Sequence, residues 1–270
     1  MKIILNILEL NKAIKDFNTF GFIPTMGGIH KGHISLIKKS QKKCRKTIVS
    51  IFVNPTQFND KNDFNKYPRN LNLDIKILRK LKIDYLFIPK VDEIYKKKFS
   101  KIHLNKNDKI LCAKFRKNHF EGVLNIMNRL LDVIKSKYVF MGEKDYQQLF
   151  LIKKYLAKKY KIKVVNCIIV RDKNKVALST RNSLLSKKNY NKASLITKYL
   201  LNLKNKINRK RSDLSLLLEE NIKILEDSYN IKIDYLELRN KKNLQKSNQK
   251  NKSRLFIAYY LDKVRLIDNF

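Results

Sequence analysis

The chain has 270 residues, 43% of them apolar, and a formal net charge of +38. That apolar share supports one large α/β domain or two modest ones and excludes a disordered chain, and no apolar run approaches the length of a membrane span. The charge suggests a polyanion binder, but 49 lysines against only 12 arginines, spread through nearly every segment among asparagines and isoleucines, read as compositional drift. Arginine is the residue suited to base edges and forked phosphate contacts, so no specific nucleic-acid partner is expected.

In chain order, Ile3–Leu10 is apolar but broken by Asn6 and Glu9 and lacks the cleavage site of a signal peptide. Phe20–Ile23 predicts a strand and Ile34–Ser40 a helix. Thr47–Val53 predicts a strand, Leu71–Leu81 a helix, and Asp84–Ile88 a strand stopped by Pro89. Leu124, Met127, Leu130, Leu131 and Ile134 recur at helical spacing within Val123–Lys135. Tyr138–Met141 predicts a strand, Gln147–Tyr160 a helix and Val164–Val170 a buried strand. Continuous apolar strands between helices imply a parallel sheet covered on both faces.

Near residue 170 the texture changes. Two helices, Lys187–Lys204 and Asp213–Tyr229, precede strands near Ile233–Leu238, Arg254–Tyr260 and Val264–Ile267, a small α+β arrangement. Asn240–Ser253, almost wholly Lys, Asn, Gln and Ser, predicts a long solvated hairpin loop. This change of texture divides the chain into an expected first domain, 1–169, and a second, 170–270. Cys44, Cys112 and Cys167 have no CxxC spacing and fit a reducing cytoplasm.

Four of the six glycines (Gly21, Gly27, Gly28, Gly32) crowd Pro24-Thr-Met-Gly-Gly-Ile-His-Lys-Gly-His33, beside two of the four histidines. This loop joins a strand end to a helix N-terminus, where α/β proteins hold phosphate. His30 and His33 share a face of the first helical turn and suit phosphoryl oxygens; the bland alternative is a pair of capping histidines. No HExxH pattern or third ligand accompanies them, so no metal site is expected. Asn54-Pro55 should project Gln57 from the sheet edge, unless it is an ordinary turn with Gln57 on the surface. Met141-Gly-Glu-Lys-Asp-Tyr-Gln-Gln148 is a further strand-to-helix junction. Lys144 can reach phosphate there and Asp145 can serve Mg²⁺, a ribose, or simply a helix cap. Leu178-Ser-Thr-Arg-Asn182 carries two hydroxyls and an arginine suited to pyrophosphate. Walker A and GxGxxG patterns are absent.

In this order and spacing the segments Pro24–His33, Phe52–Phe58, Tyr67–Arg69, His119–Val123, Gly142–Gln148, Leu178–Asn182 and Val264–Asn269 resemble the pantothenate synthetase (pantoate–β-alanine ligase) family over essentially the whole chain. The resemblance implies a Rossmann-like parallel sheet of the HIGH-motif nucleotidyltransferase type with a smaller α+β C-terminal lid, working as a homodimer in the cytoplasm without membrane partners. It implies that pantoate is activated by ATP to a pantoyl adenylate with release of pyrophosphate, Mg²⁺ accompanying the ATP. β-Alanine then displaces AMP to give pantothenate. A related cytidylyl- or adenylyltransferase, or a basic binding protein that has lost catalysis, is the alternative; Gln57 and Gln148 favour a small hydroxy acid.

Carried onto this chain, the resemblance places Thr25, Met26, Gly27, Gly28, Ile29, His30, Lys31, Gly32 and His33 along ATP, with His33 the proton donor and His30 on phosphate. Gly142, Glu143, Lys144 and Asp145 join them, Lys144 acting on the phosphates. Val170 would meet the adenine, and Leu178, Ser179, Thr180 and Arg181 would close over the phosphates. Gln57 and Gln148 would hold pantoate, Gln57 would border β-alanine, and Arg116, standing where the family carries an arginine, would join them in binding substrate. Lys117-Asn118 replaces the usual Pro-Gly, Ile29 a leucine, and Lys173-Asn-Lys175 a glycine-containing turn.

Overall fold

Six short apolar runs pair in parallel into one sheet whose order explains where a ligand can enter. The structure is a computed structural model describing residues 1–17, 19–58, 61–209 and 214–270. The strands are β1 (Lys2–Ile4), β2 (Phe20–Thr25), β3 (Lys46–Ile51), β4 (Tyr85–Phe87), β5 (Tyr138–Gly142) and β6 (Lys163–Cys167). They lie in the order β1-β4-β3-β2-β5-β6, every pair parallel. Helices α1 (Ile7–Ile14), α2 (Lys31–Lys43), α3 (Lys61–Lys66), α4 (Leu71–Lys80), α5 (Val91–Tyr95), α6 (Cys112–Phe115), α7 (His119–Ile134) and α8 (Tyr146–Leu156) complete the unit Met1–Val170.

From β2 the chain winds outward through β3 to β4, then returns to lay β5 on the other side of β2 and β6 beyond it. The reversal leaves a crevice at the carboxyl ends of β2 and β5, where open α/β sheets bind ligands. The loops leaving those two strands are the two glycine motifs. Phe22, Ile23, Ile48, Val49, Leu86 and Phe140 are fully buried in the middle of the sheet. Ile37 of α2 and Leu78 of α4 pack in the same cluster as Ile23, Val49 and Phe140, so one face of the sheet is closed by these helices.

Two features of this unit differ from expectation. Ile3–Leu10 supplies an edge strand and a helix, β1 and α1; three paired residues are too few for a periodic signal. The predicted buried strand Val164–Val170 is β6, which ends at Cys167 on the sheet edge and is largely half-exposed, with Ile168 77% exposed. Edge position, with only one neighbouring strand, is the cause.

The unit Arg171–Phe270 contains α9 (Lys187–Arg209), α10 (Leu214–Tyr229) and an antiparallel sheet of β7 (Lys232–Asn240), β8 (Ser253–Leu261) and β9 (Val264–Asn269). Asp213, expected to open α10, lies outside the described residues. Ala193, Ile196 and Leu200 of α9 form a core with Leu255 and Ile257 of β8. The β7–β8 connection is a hairpin loop as predicted, but it is folded around Leu244, 1% exposed, whose carbonyl accepts a hydrogen bond from Arg239 Nη1 at 2.7 Å.

Candidate active site

The loop after β2 turns on two glycines with left-handed backbone, Gly27 (φ 81°) and Gly28 (φ 65°). Nine other described residues, among them Lys82, Leu111 and Lys175, have positive φ without being glycine. Conformation alone therefore does not explain glycine at 27. Space does: a Cβ there would lie 2.9 Å from Asp74 Oδ2. The Asp74 carboxylate, 3% exposed in α4, accepts the Gly28 N–H at 2.8 Å and the Ile29 N–H at 2.7 Å. Thr25 Oγ1 accepts the Gly27 N–H at 3.2 Å and donates to the Ser50 carbonyl at 2.7 Å.

Helix α2 begins at Lys31 with His30 as its cap. His30 Nδ1 accepts the Gly32 N–H at 3.0 Å, and His33 Nδ1 accepts the His30 N–H at 3.4 Å. The capping alternative is thus realised, and it has a chemical consequence. A backbone N–H can only donate, so each Nδ1 is the acceptor and each neutral ring carries its proton on Nε2. The rings stack with centroids 4.1 Å apart. Burial first, then the charge of Lys144, lowers the His30 pKa to about 4, against an opposing pull from Asp145. Burial, then His30 and Lys144, lowers that of His33 to about 3. At neutral pH both are uncharged hydrogen-bond donors. Burial thus favours the neutral ring at both positions, each able to donate a hydrogen bond through Nε2.

Those effects also put Lys144 and Asp145, from the loop after β5, beside the histidines. Lys144 Nζ is 3.5 Å from Asp145 Oδ1, and Asp145 occupies the cap position of α8 without a side-chain capping bond. Glu143 Oε1 accepts from Asn166 Nδ2 at 3.2 Å. Gly142 has φ −74° and ψ 135°, open to any residue, and a Cβ there would meet nothing within 4 Å. Neither backbone nor packing calls for glycine at 142. Gln148 is half-buried in the first turn of α8.

Gln57 is held rather than loose. Its Nε2 lies 2.7 Å from Met26 Sδ, and its carbonyl oxygen is 2.6 Å from His119 Nδ1. His119 Nε2 is 3.0 Å from Arg116 Nη1. Gly122 of α7 lets the Gln57 segment lie against the helix, since a Cβ would come 2.4 Å from the Thr56 carbonyl oxygen. Asn54 does cap a 3-10 turn at Pro55–Gln57, as the ordinary-turn alternative has it, and Gln57 is half-buried there. Asn118 takes φ 61° where the family's glycine would stand, and Asn is the residue that best tolerates this after glycine.

Val170 closes the first unit, and Leu178–Arg181 belongs to the second. There Ser179 Oγ accepts the Arg181 N–H at 3.3 Å, starting a short 3-10 turn over Thr180–Leu184. Arg171 Nη2 donates to Asp268 Oδ1 at 2.9 Å, with Nη1 paired to Oδ2 at 2.6 Å. Sequence reasoning missed Asp74, Asn54 and His119 as elements of the site. The available signal for Asp74 was a lone carboxylate four residues before the buried Leu78, on the apolar face of an amphipathic helix.

The fold and the paired motifs define an α/β protein of the HIGH-motif nucleotidyltransferase type, with glycine loop, imidazole pair and lysine at one sheet crevice. Comparison narrows the class. The family model for pantoate-beta-alanine ligase matches residues 2–270, and the chain belongs to that family. It is 42% identical to the pantothenate synthetase of Campylobacter hominis, covering 98% of this chain and 99% of that one. It is 36% identical to that of Pseudothermotoga lettingae, covering 100% and 98%. The crystal structure of pantothenate synthetase from Thermus thermophilus matches with a TM-score of 0.91 at 28% identity, covering 100% and 99%. The Francisella tularensis ligase, crystallised with beta-gamma ATP and β-alanine, matches with a TM-score of 0.83 at 37% identity, covering 100% and 97%. Among the described residues no helix is long and apolar enough to cross a membrane.

Proposed function

We propose that the chain condenses pantoate with β-alanine to pantothenate at the expense of ATP, through a pantoyl adenylate. A pantoate carboxylate oxygen attacks the α-phosphorus of ATP, and the bond to the bridging oxygen breaks to release pyrophosphate. The neutral amine of β-alanine then attacks the acyl carbon. AMP leaves with the C–O bond electrons, and the amine's proton passes to solvent. No side-chain nucleophile is required, because the attacking carboxylate is already ionised.

What supports this reading most is the pair of neutral imidazoles capping α2 beside Lys144, at the crevice between β2 and β5. His30 and His33 donate through Nε2–H to phosphoryl oxygens as negative charge grows, and Lys144 adds a full positive charge. The residues Thr25–His33 and Gly142–Asp145 bind ATP, with Gly142 leaving room for it. Gln57 and Gln148 orient pantoate, with Arg116 supporting Gln57 through His119. Alignment of substrates supplies the rest of the acceleration. Asp145, a half-exposed carboxylate beside the histidines, would be the protein group to hold Mg²⁺, which would supply neutralisation of the triphosphate charge. The chain works as a homodimer in the cytoplasm.

The test is direct. Purified protein given ATP, Mg²⁺, pantoate and β-alanine releases AMP and pyrophosphate, and omission of pantoate abolishes both. AMP release indifferent to pantoate overturns the assignment. His33→Ala lowers adenylate formation by roughly 10²-fold or more, the usual loss for a transition-state donor.

A further inference from the structure

We propose that Asp74 is a positioning residue for the nucleotide half of this reaction, its buried carboxylate gripping the Gly28 and Ile29 amides and so fixing where α2 presents His30 and His33. The proposal rests on the function read above but on separate observations. Glycine-rich loops at helix N-termini commonly offer their backbone N–H groups to phosphate. Here those groups are turned toward the protein. Gly28 and Ile29 donate to Asp74 at 2.8 and 2.7 Å, Gly27 to Thr25 Oγ1, His30 to His33 Nδ1 and Gly32 to His30 Nδ1. Phosphate recognition therefore shifts to the imidazole Nε2–H groups and Lys144, and side-chain donors are only as accurate as the backbone beneath them.

Asp74 is built for that task. It is 3% exposed, sits in the first turn of α4 where the helix dipole favours an anion, and is carried by a helix capped at Asn70 Oδ1. Both oxygens accept short charge-assisted bonds from adjacent amides, which fixes the loop in two directions. Gly27 completes the fit, since any side chain there would collide with Oδ2. Immediately after this clamp, His30 begins the cap of α2. Freed of the clamp, the loop would still bind nucleotide, with its donors displaced from the transition-state phosphorus.

Asp74→Asn tests this, keeping volume while replacing one acceptor oxygen with an NH₂ group that faces an amide N–H. The expected result is a loss in kcat/KM for ATP of roughly 10- to 100-fold, the range for a lost bond to a charged group. KM for β-alanine stays within about twofold, because the defect lies at the nucleotide. Hydrogen exchange at the Gly28 and Ile29 amides, slow in the wild type, becomes fast. Unchanged kcat/KM for ATP, or a fall in kcat with every KM unchanged, as a smaller folded fraction would give, overturns the proposal. So does unchanged amide exchange. If Asp74→Asn does not fold, Gly27→Ala displaces the carboxylate from the loop side and is read in the same way. A wild type that makes no AMP would sink the ligase reading alone, since the exchange measurement still reports whether the clamp exists.

Discussion

His119 Nδ1 lies 2.6 Å from the carbonyl oxygen of Gln57, sixty-two residues earlier in the chain. Arg116 Nη1, always a donor, faces the other ring nitrogen at 3.0 Å, so Nε2 accepts and Nδ1 carries the proton given to Gln57. Gly122, one turn along α7, admits the Thr56–Gln57 backbone against the helix. The placement of Gln57 is therefore decided by a helix start far away in sequence.

If Gln57 orients pantoate, loosening this anchor should weaken pantoate before ATP. His119→Phe keeps a ring but removes both hydrogen bonds. KM for pantoate is expected to rise roughly 10-fold, the worth of the lost neutral bond to the Gln57 carbonyl, with KM for ATP nearly unchanged. Steady-state kinetics with each substrate varied in turn decides it, and an equal rise in both KM values counts against the role.

The histidine pair makes stability depend on pH with a definite sign. Their folded pKa values, about 4 and about 3, lie below the ordinary 6.5, so between these limits the unfolded chain binds more protons. Their contribution is fully present above about pH 6.5 and is lost as pH falls toward the folded values. The melting temperature should drop from pH 7 to pH 4, and more gently in a His30→Gln, His33→Gln double variant. Parallel pH profiles for the two proteins would show that other groups govern acid unfolding.

Gly142 separates folding from binding. Its φ suits any residue and a Cβ would touch nothing, so Gly142→Val should leave stability within about 0.5 kcal/mol, as for a site away from packed neighbours. If ATP passes over this position, the same branched side chain blocks it. Calorimetric titration should show ATP affinity reduced at least tenfold, roughly one to two kcal/mol of lost contact. Wild-type affinity would place the nucleotide elsewhere.

Much of this was legible because the strand-to-helix junctions carry their own signals: apolar runs ending in glycine, then amphipathic spacing. Gly27–His33 and Gly142–Gln148 could be set at strand-to-helix junctions from sequence, and the sheet puts both at one crevice. Asp74 carried only its place on the apolar face of α4 as a signal, and its role stayed hidden because its partners lie forty-five and forty-six residues back. His119 escaped in the same way, its partner being a backbone carbonyl. Strand β6 was over-read as buried because Val and Ile content reports β-propensity, not whether a second neighbour exists. Leu244 was hidden by the polar composition around it.

Lys175 shows where drift away from glycine has left correctable strain. It takes φ 70° in the tight turn in which its N–H donates to the Asp172 carbonyl at 3.1 Å, while the Asp172 N–H reaches back to the Val176 carbonyl at 3.0 Å. A side chain in this region costs about 1–2 kcal/mol relative to its preferred backbone, and glycine avoids that cost while losing more entropy on folding. Lys175→Gly is therefore expected to stabilise the second unit by about 0.5–1 kcal/mol. Arg171, whose guanidinium forks onto Asp268 and stacks on Phe270 at 4.7 Å, gives the opposite case in the same unit. Removing it as Arg171→Ala leaves the 7%-exposed Asp268 carboxylate without its main cation and should cost about 3–5 kcal/mol. Urea unfolding of both variants reads the two signs side by side. Destabilisation by Lys175→Gly would mean that the lysine side chain contributes more to the turn than its backbone costs.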